Sequence, residues 1–119
     1  MTLPSYVIKI SRDEDFYVYW SDIVEAPLMW GSRVETEEYL AERPDSDRTD
    51  PGERLDRADV RGTSALWPSL IDPIYNWDDP GLIYQQQGVL PRASLKALCE
   101  RLGEDEQADV SDLLSPFDA

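Results

Sequence analysis

Two short runs near the N-terminus alternate apolar and polar positions with a period of two. In SYVIKIS, Tyr6, Ile8 and Ile10 fall on one side while Val7 and Lys9 fall on the other. Successive strand side chains point to opposite faces, so this pattern predicts a half-buried strand. FYVYW repeats it, with Phe16, Val18 and Trp20 opposed to Tyr17 and Tyr19, and the charged RDED between the runs predicts an antiparallel hairpin. IVEAPLMW predicts a third strand. Pro27 has no N–H to donate to a ladder, which confines that strand to an edge or a bulge.

The period then lengthens. GSRVETEEYLAERP carries Ser32 and, three residues later, Glu35, a capping-box pair that predicts a helix starting after Ser32 and limited by Pro44. Its apolar stripe of Val34, Tyr39, Leu40 and Ala41 is weak, as for a surface helix. A polar loop over 44–52 is expected to be flexible. Asp50 at the cap, Pro51 at the first helical position and Glu53 in the first turn predict a second helix, which Gly62 stops. Residues 64–77 are apolar but broken by Pro68 and Pro73, which predicts irregular structure pressed on the core.

In DPGLIYQQQG, Asp79, Pro80 and Gly88 fit the cap, first-turn and stop positions of a two-turn helix, with Trp77, Leu82 and Ile83 as core contacts and Asp78 spare. RASLKALCERLG gives the clearest helical stripe, Leu95, Leu98, Cys99 and Leu102, ended by Gly103. EDEQADVSDLLSPF repeats the spacing with Val110, Leu113, Leu114 and Phe117 beneath an acidic outer face. The expectation is an α+β fold: one domain over residues 1–119, a small antiparallel β-sheet at about residues 5–30, and three to five short helices.

Composition narrows the chemistry. The chain has 119 residues, 41% of them hydrophobic, and a net charge of −14. No apolar run is long enough to span a membrane, and the first residues lack a basic stretch followed by an apolar one, so a soluble, cytoplasmic protein is expected. It contains no histidine and a single cysteine, Cys99. That removes the usual neutral-pH general base, the Ser-His and Cys-His nucleophile pairs and an internal disulfide. Cys99 lies on the apolar stripe and reads as packing. A catalytic role is not expected, and no cofactor is called for.

Candidate binding residues remain. Asp45, Asp47, Thr49, Glu53 and Asp56 occupy the first, third, fifth, ninth and twelfth places of a calcium loop. The glycine needed at the sixth place is Asp50, however, and Asp56 is one methylene shorter than the bidentate Glu, so no metal site is assigned. Tyr17 and Tyr19 share a strand face and, if left uncovered, would form an aromatic platform for a partner. Residues 104–119 form an acidic C-terminal segment with six carboxylates and no cation. On a helix, Asp105, Asp109 and Asp112 would make one stripe of carboxylates roughly 5–6 Å apart, comparable with phosphate spacing along a nucleic-acid strand.

A charge of this sign repels phosphate backbones and anionic lipid and attracts basic proteins. The leading expectation is a non-enzymatic binding or inhibitor protein that docks an acidic face (Glu104, Asp105, Glu106, Asp109 and Asp112) on a basic protein surface. That surface could be the nucleic-acid groove of a host enzyme, with this protein as a DNA mimic. Size, acidity and missing catalytic apparatus are similar to small inhibitors of phages and mobile elements, a likeness of composition that rests on no motif. The alternatives are a self-assembling accessory protein using Tyr17, Tyr19 and the apolar stretch 28–30, as monomer or homodimer, and a carboxylate enzyme or calcium binder.

Overall fold

The computed structural model describes residues 5–21, 24–42, 50–64, 77 and 81–116. The fold is α+β. Strands β1 (Ser5–Lys9), β2 (Tyr17–Ser21) and β3 (Ala26–Gly31) form an antiparallel sheet in the order β1-β2-β3. The period-two pattern sets its register, with Ile8 opposite Val18 and Val7 opposite Tyr19. Pro27 does lie on an edge strand. Tyr19 pairs with Met29 and Trp20 with Pro27, so Leu28 is an extra residue at a bulge.

Helix α1 (Arg33–Glu42) begins as the capping box requires. The Ser32 N–H donates to Glu35 Oε1 at 2.9 Å, and the Glu35 N–H donates to Ser32 Oγ at 3.3 Å. Its buried residues are Thr36 and Leu40, one turn apart, whereas Val34 and Ala41 are exposed. Helix α2 (Pro51–Arg61) follows, with Asp50 accepting from the Gly52 N–H at 3.0 Å. Gly62 closes it at φ 88, a left-handed conformation that suits glycine. Of the loop expected at 44–52, Asp50, Pro51 and Gly52 belong to this cap and first turn, while the rest lies outside the described residues.

The helix expected over residues 80–87 is not formed. Leu82–Tyr84 and Gly88–Leu90 are instead strands β4 and β5 of a second antiparallel hairpin. Leu82, Tyr84 and Leu90 are buried while Ile83 and Val89 are half-buried, a period of two that the proline and glycine punctuation obscured. Gln85 and Gln86 take φ 44 and 60, and the Gln87 N–H donates to Tyr84 O at 2.8 Å. Positive φ at both central residues is the hallmark of a hairpin turn whose twist matches its strands. Asp78, Asp79 and Pro80 lie outside the described residues, as do residues 65–76, where irregular structure was expected.

A single 3-10 turn, Arg92–Ser94, leads into α3 (Leu95–Glu104), which buries Leu95, Leu98 and Cys99. It runs one residue past Gly103. The acidic segment does not continue as a helix: it makes a turn near Asp105 and one 3-10 turn at Ser111–Leu113. Local side-chain bonds compete with the helix. Asp105 Oδ1 accepts from the Gln107 N–H at 3.0 Å and Asp109 Oδ1 from the Ser111 N–H at 2.9 Å, both aspartate-type turns. Ser115 then joins β5, with its N–H donating to Val89 O at 2.7 Å.

The three-stranded sheet is covered on both faces, and every residue of β2 is buried. On one face Tyr6, Ile8, Ile10, Val18 and Trp20 pack with β4, β5, α3 and Val110. On the other, Val7, Tyr17 and Tyr19 pack with Leu40, Leu55 and Ala58 of α1 and α2. Residues 62–64 close the outer edge of β1: the Lys9 N–H donates to Gly62 O at 3.0 Å and the Ser64 N–H to Val7 O at 2.8 Å. No described helix is long and apolar enough to cross a membrane.

Candidate functional site

Tyr17 and Tyr19 are 3% and 6% exposed, so they offer no platform to a partner. Helices α1 and α2 cover them, each contributing one large side chain, Leu40 and Leu55, to the same face. Tyr39 meets Tyr19 at a tilt of 57° with ring centres 5.6 Å apart, and the buried Arg54 guanidinium lies 5.9 Å from the Tyr19 ring centre.

At the open end of this face a charged cluster forms. Asp59 of α2 accepts from the Tyr17 hydroxyl at 2.5 Å, pairs with Lys9 Nζ at 3.1 Å and takes Arg33 Nη1 at 2.9 Å. Arg33 also reaches Asp56 at 2.7 Å and Glu37 at 2.9 Å. One guanidinium thus joins the start of α1 to two successive turns of α2, through the fork geometry that only arginine has. Burial, with the bond to Asp59, pushes the Tyr17 phenol above its ordinary range. Burial would raise the Asp59 carboxyl, but the Tyr17 hydroxyl, Lys9 and Arg33 together hold it below its ordinary value. Arg33 is pushed up by its bonds to Asp56 and Glu37. Each charged side chain here has an opposite partner, so the cluster clasps helices to strands.

Of the calcium-loop residues, only Glu53 and Asp56 lie among the described residues. Glu53 is exposed, Asp56 is paired with Arg33, and Asp45, Asp47 and Thr49 lie outside the described residues. Among the described residues, no three carboxylate or cysteine side chains could jointly hold a metal ion. Cys99 is fully buried, and burial, followed by the Glu100 charge, pushes its thiol up to about 12. It is an apolar packing residue.

A groove of 520 Å³ lies between the 11–16 turn and the start of α3, lined by Ile10, Ser11, Glu14, Arg92, Ala93 and Lys96. Its charges are spoken for. Lys96 Nζ pairs with Glu14 at 3.1 Å, while Arg92 Nη1 donates to Lys9 O at 2.6 Å and Gly62 O at 2.8 Å. Arg12 and Arg92 also lie over the Trp77 ring, 4.7 and 4.9 Å from its centre.

Exposed carboxylates occur in several places, Glu38, Glu42, Glu53 and Glu100 among them, and the acidic segment adds a run of them close together in sequence. Glu104, Asp105, Glu106, Asp109 and Asp112 are all exposed. They sit on one excursion of chain that leaves the core at the end of α3 and is held down by Val110, 3% exposed, and by the Ser115 bridge to β5. Leu113 and Leu114 pack partly on the core, as expected of an anchored segment, and Phe117 lies outside the described residues. The even carboxylate stripe drawn for a helix is absent, since each aspartate is committed locally. The Ser111 backbone N–H holds the Asp109 carboxyl below its usual range, and Arg101, at 2.5 Å, does the same for Asp112.

The fold brings one more residue to this excursion. A methyl group on Gly103 would sit 3.3 Å from Trp30 Cζ2, so the half-buried Trp30 of β3 abuts the last turn of α3, next to Glu104. The sequence points to Tyr17 and Tyr19 together with the apolar stretch 28–30, which ends in Trp30; of these, Tyr17 and Tyr19 are buried and Trp30 is half-buried. Pro27, with no N–H to donate, is the sequence signal that marks β3 as an edge strand. No protein-family model, curated protein or solved structure matches this chain.

Proposed function

We propose that this protein is a non-enzymatic binding protein that docks its acidic face on a basic protein surface. The observation that carries this reading is the exposure of Glu104, Asp105, Glu106, Asp109 and Asp112 together on one anchored excursion. An anchored loop presents its charges with little ordering cost on binding, unlike a free acidic tail. The remaining field adds to it, because the whole chain carries −14. Such a field accelerates encounter with a cationic partner and turns away nucleic acid and anionic lipid.

The groove of a nucleic-acid-binding host protein is one surface of this kind. Mimicry of a phosphate strand in the strict sense would need evenly spaced carboxylates. The aspartate-type turns at Asp105 and Asp109 do not supply them, so the reading rests on charge density rather than on a strand-like register.

Affinity capture from host lysate, at low and at high salt, with mass spectrometry of the eluate, tests it. The expected result is a basic protein retained at low salt and released at high salt, and not retained when Asp105, Asp109 and Asp112 are reversed to lysine. Capture indifferent to salt and to that reversal would overturn the reading.

A further inference from the structure

Strand β3 is an edge strand, pairing only with β2 among the described strands. Along it, Leu28 is 46% exposed at the bulge and Trp30 is half-buried against α3, while Val24, 49% exposed, precedes it. Large exposed apolar side chains are few among the described residues: Val24, Leu28, Val34 and Val60. One of the four, Leu28, is on the edge strand and a second, Val24, lies two residues before it begins. Acids surround that stretch. Glu25 stands at its start, Glu35 packs against Gly31 at its end, and Glu104 follows the glycine that touches Trp30. Neither residues 24–32 nor residues 102–116 contain a lysine or arginine.

We propose that Leu28 and Trp30, with Glu104, Asp105 and Glu106, form the docking surface for a partner segment that carries a large apolar side chain among lysines and arginines. This rests on the acidic-docking reading above and adds where the partner sits and what anchors it. Charge selects the occupant. A second copy of this chain would bring another −14 to a surface ringed by carboxylates, so a homodimer is disfavoured at this face. Pro27 and the Leu28 bulge interrupt the row of backbone donors and acceptors that an added strand would need, so the partner is held by side chains rather than as a fourth strand. A tryptophan beside a rim of charge is the usual composition of a binding hot spot, in which the aromatic group supplies affinity and the rim supplies rate.

The test uses the full chain and two synthetic peptides of equal length with amidated C-termini: oligolysine, and the same peptide with two central leucines. Each is titrated at low salt by calorimetry and by the indole N–H resonance of Trp30, identified with Trp30→Phe. The leucine-bearing peptide is expected to bind about tenfold tighter than oligolysine and to move the Trp30 resonance. Leu28→Ser, at an exposed position that the fold does not depend on, should remove most of that advantage while leaving oligolysine binding unchanged. Reversing Glu104, Asp105 and Glu106 to lysine should weaken both peptides. Equal binding of the two peptides, with Leu28→Ser silent and the Trp30 resonance unmoved, overturns this surface while acidic docking stands. Failure of both peptides to bind at low salt overturns the two readings together.

Discussion

Removing the Asp59 side chain isolates the clasp between α2 and the sheet. In Asp59→Ala the Tyr17 hydroxyl loses its acceptor at a residue only 3% exposed, and an orphaned buried donor costs about 1–3 kcal/mol. Lys9 and Arg33 each lose one partner. Their side chains are 13% and 31% exposed, and solvent screening holds each pair to about 0–1 kcal/mol. Alanine returns up to about 0.6 kcal/mol of helix propensity in α2. The net expectation is a loss of about 2–3 kcal/mol. Asp59→Asn keeps an acceptor for Tyr17 and gives up only the charge, so it should cost about 1 kcal/mol. Urea unfolding near neutral pH measures both, read as a shift in midpoint at constant slope. Asp59→Ala within about 0.5 kcal/mol of the parent, or Asp59→Asn as damaging as Asp59→Ala, would refute the claim that the Tyr17–Asp59 bond carries the clasp.

The same pair sets both limbs of the pH profile. The folded-state carboxyl of Asp59 lies below its ordinary value, so its contribution is present above the usual carboxylate range and is lost as pH falls through it. The Tyr17 phenol lies above its ordinary value, so its contribution is present below about pH 10 and is lost as pH rises beyond that. Asp59→Asn should flatten the acid limb and Tyr17→Phe the alkaline limb in thermal melts across pH; limbs unchanged in both variants would contradict this. Gln85→Gly relieves a non-glycine residue at φ 44 while keeping the backbone N–H that donates to Glu25 O, and should raise stability by about 0.5–1 kcal/mol in the same unfolding assay. Gly81→Ala would drive a methyl carbon into Leu90 O and should unseat the β4–β5 hairpin, seen as lost amide protection at Leu82 and Leu90. Cys99, buried with its thiol pushed up to about 12, should resist an aromatic disulfide reagent until the protein is unfolded.

What could be read in the sequence followed from signals that one physical cause explains. Alternation in SYVIKIS and FYVYW has no reading but a strand, and the Ser32–Glu35 and Asp50–Pro51 caps each satisfy donors that a helix start must satisfy. Leu95, Leu98 and Cys99 similarly share one stripe, and all three are buried on α3. Errors arose where one residue type serves two structures. A proline and a glycine flank helices and hairpins alike, and LIYQQQGVL is too short for either period to dominate.

The acidic segment failed for a related reason, since apolar positions at helical spacing say nothing of whether Asp105 and Asp109 will bond their own backbone instead. Burial of Tyr17 and Tyr19 depended on how α1, with almost no apolar stripe, and the amphipathic α2 fold back over one sheet face, a long-range outcome that no local pattern encodes. The contact between Trp30 and Gly103 joins β3 to the end of α3, distant in sequence, and so it emerged only from the fold.

The claim at the centre of this account is that exposed charge on the 104–112 excursion drives association with a basic protein. The most direct test is the association rate of the captured partner, measured over a salt series for the parent chain and for the variant with Asp105, Asp109 and Asp112 reversed to lysine. The account predicts a rate that falls steeply with salt in the parent and is lower and flatter in the variant, with dissociation changed far less. Equal rates for the two proteins at every salt concentration would contradict it.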